Sequence, residues 1–288
     1  MSNLRIHGSR LALRLPFVVA WLTIGLAGCG KNETTGVADA TGDTGTHRTE
    51  STPIKSSTTK AANAWTAPKS TVRQDERDAM VRKINIDYGL QDDAVLTALA
   101  ACPRHEYVPE DIGKDAYADM PLPIDYGQLI SQPWIVALMT HELQLKPTSR
   151  VLEIGTGSAY QASILSYITP NVFSIEIIEP LAKQAGERLT RLGFDPVQTR
   201  CGDGYYGWPE AAPFDGIIVT CAAGQIPPPL IKQLAPGGRM LIPVGQPFQT
   251  QSLMLVEKGA DGQIRTKSLS SVRFVPMTSE DGSKKNGK

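Results

Sequence analysis

Cysteine and histidine are scarce, four of each in 288 residues. Cys29, Cys102, Cys201 and Cys221 include no CxxC pair, and the histidines are scattered, so the composition speaks against a zinc framework. Leaving Cys29 aside, Cys102, Cys201 and Cys221 make an odd number and read as small buried hydrophobes rather than a disulfide scaffold. Neither sign of charge is in excess, with 29 basic and 29 acidic residues. Residues 1–28 hold three Arg and no acid, so the remainder carries 26 basic against 29 acidic groups. Nothing in that balance predicts nucleic acid or an anionic membrane surface as partner. Lys284, Lys285 and Lys288 form only a small solvated tail. No apolar run suits a membrane span: LPFVVAWLTIGL, residues 15–26, is too short, and no second one follows. No internal repeat is present.

Present instead is VLEIGTGSAYQ, residues 151–161. A β-rich run with one acid enters a glycine turn and leaves as an apolar-periodic segment, predicting strand, turn and helix. Glycine there lets backbone N–H groups and a helix N-terminus approach a ligand. VFSIE ends in Glu176, about 20 residues further on, where nucleotide-binding α/β folds place an acid on ribose hydroxyls. CGDG sets Asp203 in a turn that can face an adenine amino group, and FDGIIVT (214–220) is dense enough for a central parallel strand. The turn lacks the GKS or GKT ending of a P-loop and the third small residue of the dinucleotide fingerprint. An adenosyl ligand without a phosphate chain fits better, which points to S-adenosylmethionine as co-substrate, with no metal.

From about Met80 to Thr278 the chain resembles the protein-L-isoaspartate O-methyltransferases. The likeness is carried by LPIDYGQLISQP (122–133), VLEIGTGSAYQ, GDGYYGWPE (202–210), APFDGIIVTCAA (212–223), IPPPLIKQLAPGGRMLIPVG (226–245) and VRFVPMT (272–278). It implies an α/β, Rossmann-like methyltransferase fold: a doubly wound, mostly parallel seven-stranded sheet with an antiparallel member near the C-terminus. It also implies methylation of the free α-carboxylate of L-isoaspartyl residues in damaged proteins or peptides. By resemblance Ser131 is the active-site residue. Ile130, Gly155, Thr156, Gly157, Ser158, Tyr160, Gln161, Glu176, Asp203, Gly204 and Thr220 are the expected cofactor contacts. Read without the likeness, Ser131 is a helix-cap serine, Glu176 a solvated strand end and Asp203 a turn former. Three residues depart from the family. Asp125 and Ala159 stand where Gly is usual, and Leu129 where Thr is usual. Asp125 is expected to bring negative charge near the acceptor site, and Leu129 to remove a hydroxyl beside Ser131. Ala159 is expected to be tolerated if its φ is negative.

Arg5, Arg10 and Arg14 precede the apolar run, which ends in LAGC at Cys29. That segment resembles a bacterial lipoprotein signal. It predicts residues 1–28 as signal peptide, lipidation at Cys29, and, because Gly30 follows, the periplasmic face of the outer membrane. A misread start or signal would leave the protein cytoplasmic. Residues 29–75 read as a tether rich in Thr, Ser, Ala and Gly, with a reach on the order of 35–40 Å. Residues 76–279 read as one methyltransferase domain, expected to be monomeric, and 280–288 as a disordered tail. Helices are predicted over 77–84, 92–101 and 133–143, and late strands over 252–257 and 271–275.

Methyl transfer to a carboxylate needs alignment and exclusion of water rather than a strong base, which accords with the lack of a Ser-His-Asp set. Two other functions compete with repair. One is a catalytically weak lipoprotein that binds peptides. The other is a methyltransferase for a small exported carboxylic acid.

Overall fold

The computed structural model describes residues 65–278. The signal segment, Cys29, the tether as far as residue 64 and the tail from residue 279 lie outside the described residues.

The chain opens with helices α1 (Gln74–Tyr88) and α2 (Asp93–Ala101). The side chain of Asp92 caps α2 by accepting the Val95 N–H at 3.1 Å. A small hairpin follows, β1 (Leu122–Pro123) antiparallel to β2 (Leu129–Ile130), and then α3 (Pro133–Glu142) with its proline in the first turn. Strand–helix alternation then gives β3 (Arg150–Ile154), α4 (Tyr160–Ser166), β4 (Asn171–Glu176), α5 (Glu179–Arg191), β5 (Gln198–Cys201), β6 (Phe214–Val219), α6 (Pro228–Gln233) and β7 (Leu234–Val244). β8 (Gln251–Lys258) and β9 (Ile264–Val272) complete the seven-stranded sheet in the order β5-β4-β3-β6-β7-β8-β9. The pairs from β5 to β7 are parallel, and β7–β8 and β8–β9 are antiparallel. This is the seven-stranded, mostly parallel sheet that the family resemblance implied.

Alternation along the strands separates two layers. Val151, Val172, Ile218 and Leu241 pack beneath Met139 of α3 and Leu165 of α4. Leu152, Phe173, Ile217 and Met240 face the other way, onto Leu230 of α6. A third cluster joins α1 and α2 to Ile130, Tyr160 and Leu189. Because the chain reverses its winding at β3, the connections that leave the C-terminal ends of the paired strands β3 and β6 part in opposite directions, which places a crevice above those ends.

Two boundaries differ from the sequence reading. The segment from Trp65 to Arg73 is packed rather than free. The Trp65 indole donates to Gly193 O at 3.2 Å, Tyr167 OH donates to Pro68 O at 2.6 Å, and the buried Arg77 donates to Ser70 O and Val72 O. A single tryptophan among polar residues left too little apolar signal to show this. The last strand is Ile264–Val272, not 271–275, because as an exposed edge strand it is mostly polar (IRTKSLSSV) and gives no alternating apolar pattern.

Candidate active site

β3 ends at Ile154 and the chain turns through Gly155 (φ +93°) and Gly157 (φ +53°), conformations that favour glycine. The N–H groups of Gly155 and Thr156 both donate to Ile175 O, at 2.8 and 3.2 Å, binding the turn to β4. From β6, Thr220 Oγ1 donates to Gly155 O at 2.6 Å. A Cβ at Gly155 would stand 2.6 Å from that same oxygen, so a side chain has no room. Glu176, at the end of β4, is nearly buried. Its Oε2 accepts the Gly157 N–H at 2.8 Å and its Oε1 accepts the Ile178 N–H at 3.0 Å.

Two cavities meet over this turn. The larger, about 560 Å³, lies between the ends of β3, β4 and β6 and includes Ile154, Gly155, Gly157, Glu176, Gly204 and Thr220. The smaller, about 290 Å³, includes Ile130, Ser131, Thr156, Ser158, Tyr160 and Gln161. Leu129, Gly155, Gly157 and Thr220 belong to both walls. Of the twelve residues expected from the sequence, Asp203 alone lines neither cavity. Its Oδ1 accepts the Tyr205 N–H at 2.9 Å, and this cap presents Gly204 to the larger cleft. Gln161 lines the smaller cavity with its amide nitrogen committed to Thr140 Oγ1 at 2.9 Å. Ser131 stands one residue before Gln132, the N-cap of α3, and that cap position makes no side-chain bond, so Ser131 is not the cap serine of the plainer reading.

The sequence reading missed one wall. Val275–Thr278 returns alongside β6 and lines the larger cleft together with Cys221, Ile177 and Ile178. Ala222 N–H donates to Val275 O and Met277 N–H to Ala222 O, both at 2.8 Å. The VRFVPMT motif was the available signal, but without topology it had no assignable place. Burial, with the charges of Glu176 and Asp203, pushes the Cys221 thiol well up, so it is held neutral.

The departures resolve differently from their expectations. Asp125 is exposed at the hairpin tip. It lines a third cavity of about 380 Å³ with Arg188 and Ser158, and neither cavity that holds the proposed ligand contacts. Arg188, whose Nη1 donates to Ser158 O at 3.0 Å, is among the described residues the one other charged residue on that cavity's wall. Leu129 does face the site, 45% exposed on the walls of both main cavities. Ala159 takes φ +71°, not the negative angle its tolerance required, as the N-cap of α4.

Beneath the turn, Glu153 is fully buried. Ser174 donates to its Oε2, Ser174 and Thr156 hydroxyls lie 2.6 Å apart, and Oε1 has no partner among the described residues. Burial pushes the Glu153 carboxyl up to about 8. These groups fit S-adenosylmethionine. Gly155, Gly157 and Gly204 offer bare backbone to the larger cleft, at 155 and 204 because a Cβ would collide with Thr220 and Ile154, and the buried Glu153, whose Oε1 has no partner among the described residues, borders the smaller cavity. Among the described residues no group of His, Cys, Asp and Glu is arranged to hold a metal ion, and no helix is long and apolar enough to cross a membrane.

Known proteins are similar to this chain. The sequence profile of the protein-L-isoaspartate(D-aspartate) O-methyltransferases matches residues 75–282. The chain is 56% identical over 207 residues to protein-L-isoaspartate O-methyltransferase 2 of Syntrophobacter fumaroxidans, covering 72% of this chain and 84% of that one. It is 52% identical over 208 residues to the protein of the same name from a Polaromonas species, covering 72% of this chain and 99% of that one. A crystal structure of a putative protein-L-isoaspartate O-methyltransferase from Plasmodium falciparum, in complex with S-adenosyl-L-homocysteine, superposes with a TM-score of 0.60 at 25% identity, covering 70% and 98% of the two chains. With the glycine turn, the two joined cavities and the returning C-terminal wall all lying inside the matched region, this chain belongs to the protein-L-isoaspartate(D-aspartate) O-methyltransferase family.

Proposed function

We propose that the protein methylates the free α-carboxylate of L-isoaspartyl residues in damaged proteins or peptides, beginning their repair through a succinimide. The carrying observation is that the cleft and the Ser131 pocket share Leu129, Gly155, Gly157 and Thr220, so donor and acceptor meet across one turn. Bound S-adenosylmethionine supplies a sulfonium methyl; the carboxylate oxygen bonds to that carbon as the C–S bond breaks and its electron pair passes to sulfur. Glu176, Gly155, Gly157 and Gly204 hold the cofactor in the cleft, and Asp203 acts by fixing Gly204. Ser131 donates its hydroxyl to the incoming carboxylate, at the N-terminal side of α3 where an anion is favoured. Leu129 and Tyr160 exclude water from the pocket. The acceptor is already anionic at neutral pH, so no residue needs to act as general base.

Labelled methyl transfer to an isoaspartyl peptide and to its normal aspartyl twin tests this. Label is expected in the isoaspartyl peptide alone; equal labelling, or none in either, overturns the proposal. Competition between the peptide and small carboxylic acids separates protein repair from metabolite methylation.

We further propose that the protein is carried by a lipid at Cys29 on the periplasmic face of the outer membrane. The support is the charge, length and terminal cysteine of residues 1–29. Fractionation of the native host, with methyl transfer assayed in every fraction, tests it.

A further inference from the structure

Arg104 has no part in the function proposed above, yet it sits directly behind the smaller cavity. It opens a short 3₁₀ turn, Arg104–Tyr107, and is completely buried. Its Nε donates to Ala116 O at 2.8 Å and its Nη2 to Ser131 O at 2.7 Å. The guanidinium lies 4.7 Å from the centroid of the Tyr160 ring. Among the described residues neither its Nη1 nor the buried Tyr160 hydroxyl makes a hydrogen bond of ordinary geometry, and the phenol is a neutral neighbour that acts on the guanidinium without balancing its charge. Among the described residues no carboxylate forms an ion pair with this cation. The titratable groups that act on it are Tyr160, then Cys102, and after them Asp119.

A charge taken out of water without a counter-charge is costly, and buried charges are ordinarily paired. Here two of the groups that touch the guanidinium, Ser131 and Tyr160, form the wall of a pocket. The function proposed above brings a carboxylate to that wall. The missing counter-charge and the arriving anion therefore match in sign and place. We propose that Arg104 is a positioning residue for the acceptor: it fixes Ser131 from behind, and its buried charge is paired only when a carboxylate occupies the pocket. The inference rests on the reading that this pocket receives the acceptor. Arg104 does not itself line the cavity, so it acts through Ser131 and Tyr160.

The test uses the full chain saturated with S-adenosylhomocysteine, which lacks the sulfonium charge and whose ammonium and carboxylate offset each other, so that it adds no net positive charge beside the pocket. Calorimetry compares an isoaspartyl peptide with a twin whose α-carboxylate is a carboxamide. The wild type is expected to prefer the carboxylate by about tenfold or more, and to keep most of that preference between about 0.05 and about 0.5 M salt, because a buried charge is little screened. Arg104→Met is expected to bring the ratio towards one with S-adenosylhomocysteine affinity kept within about twofold, whereas a merely structural loss would weaken both peptides alike. Arg104→Lys, which keeps the charge, is expected to restore most of the ratio. An unchanged ratio in Arg104→Met overturns the inference. So does a wild-type preference that is absent or vanishes at high salt, and this holds even if Arg104→Met does not fold. Methyl transfer is read separately. A wild type that prefers the carboxylate but labels no peptide removes the proposed reaction. One that labels the peptide while Arg104→Met keeps the ratio removes only this inference.

Discussion

The carboxylate of Glu176 accepts the backbone N–H of Gly157 at 2.8 Å, so the acid at the end of β4 braces the glycine turn that follows β3. The residue proposed to hold the cofactor thus also shapes the loop that cradles it. Glu176→Ala is expected to weaken S-adenosylhomocysteine binding by about 1–3 kcal/mol, read by calorimetry. Asp203→Ala is expected to cost less, since Asp203 does not line the cleft and its carboxylate caps the turn that holds Gly204 there. Equal losses in the two variants would place Asp203 on the ligand itself.

Ser131→Ala is expected to lower methyl transfer to the isoaspartyl peptide by about 1 kcal/mol or more in kcat/KM, while cofactor affinity stays nearly intact. Full activity in this variant would take the hydroxyl out of the mechanism.

The two hairpin departures are expected to behave differently. Leu129 lines both cavities, so Leu129→Thr should lower the peptide KM by restoring a hydroxyl beside Ser131. Asp125 shares its cavity with Arg188, so Asp125→Gly should change KM by less than about twofold. A large fall in KM for Asp125→Gly would mean that the carboxylate does oppose the acceptor.

Glu153 makes stability depend on pH. Its folded carboxyl is raised to about 8 by burial, whereas in the unfolded chain it ionises near its ordinary value of about 4.3. Between these values the unfolded state has released a proton that the folded state keeps. Stability therefore falls as pH rises through this window, by up to about 1.4 kcal/mol per pH unit, and levels off above it. Calorimetric melting from pH 5 to pH 8 should show Glu153→Gln flatter than wild type and more stable at the upper end. Parallel curves would mean that Glu153 is ionised in the folded protein.

Ala159, at φ +71°, bears left-handed strain that glycine would not. Ala159→Gly is expected to raise stability by about 1 kcal/mol. A fall instead would show that its buried methyl packs for more than the strain costs.

The parts of the fold legible in the sequence were those with strong local signals. FDGIIVT and VLEI carry enough apolar density to be buried parallel strands, and the glycines at 155 and 157 are needed at positive φ. β9 was illegible because an edge strand exposed on IRTKS needs no apolar pattern. The packing of Trp65 was illegible because its partners, Gly193 and Phe194, lie more than a hundred residues away. At the site, eleven of the twelve expected residues line the two cavities, but the placement of Asp125 beside Arg188 and the wall at Val275–Thr278 depend on chain crossings that no local pattern encodes.

The returning segment also sets an order of events during synthesis. Met277 N–H reaches Ala222 O at 2.8 Å, and the stretch it belongs to closes the cleft beside Cys221. A growing chain lacks that wall until its 278th residue has been joined and has left the ribosomal tunnel. The cleft is therefore among the last parts of the domain to be completed, and a chain exported while still unfolded would carry it across a membrane unassembled.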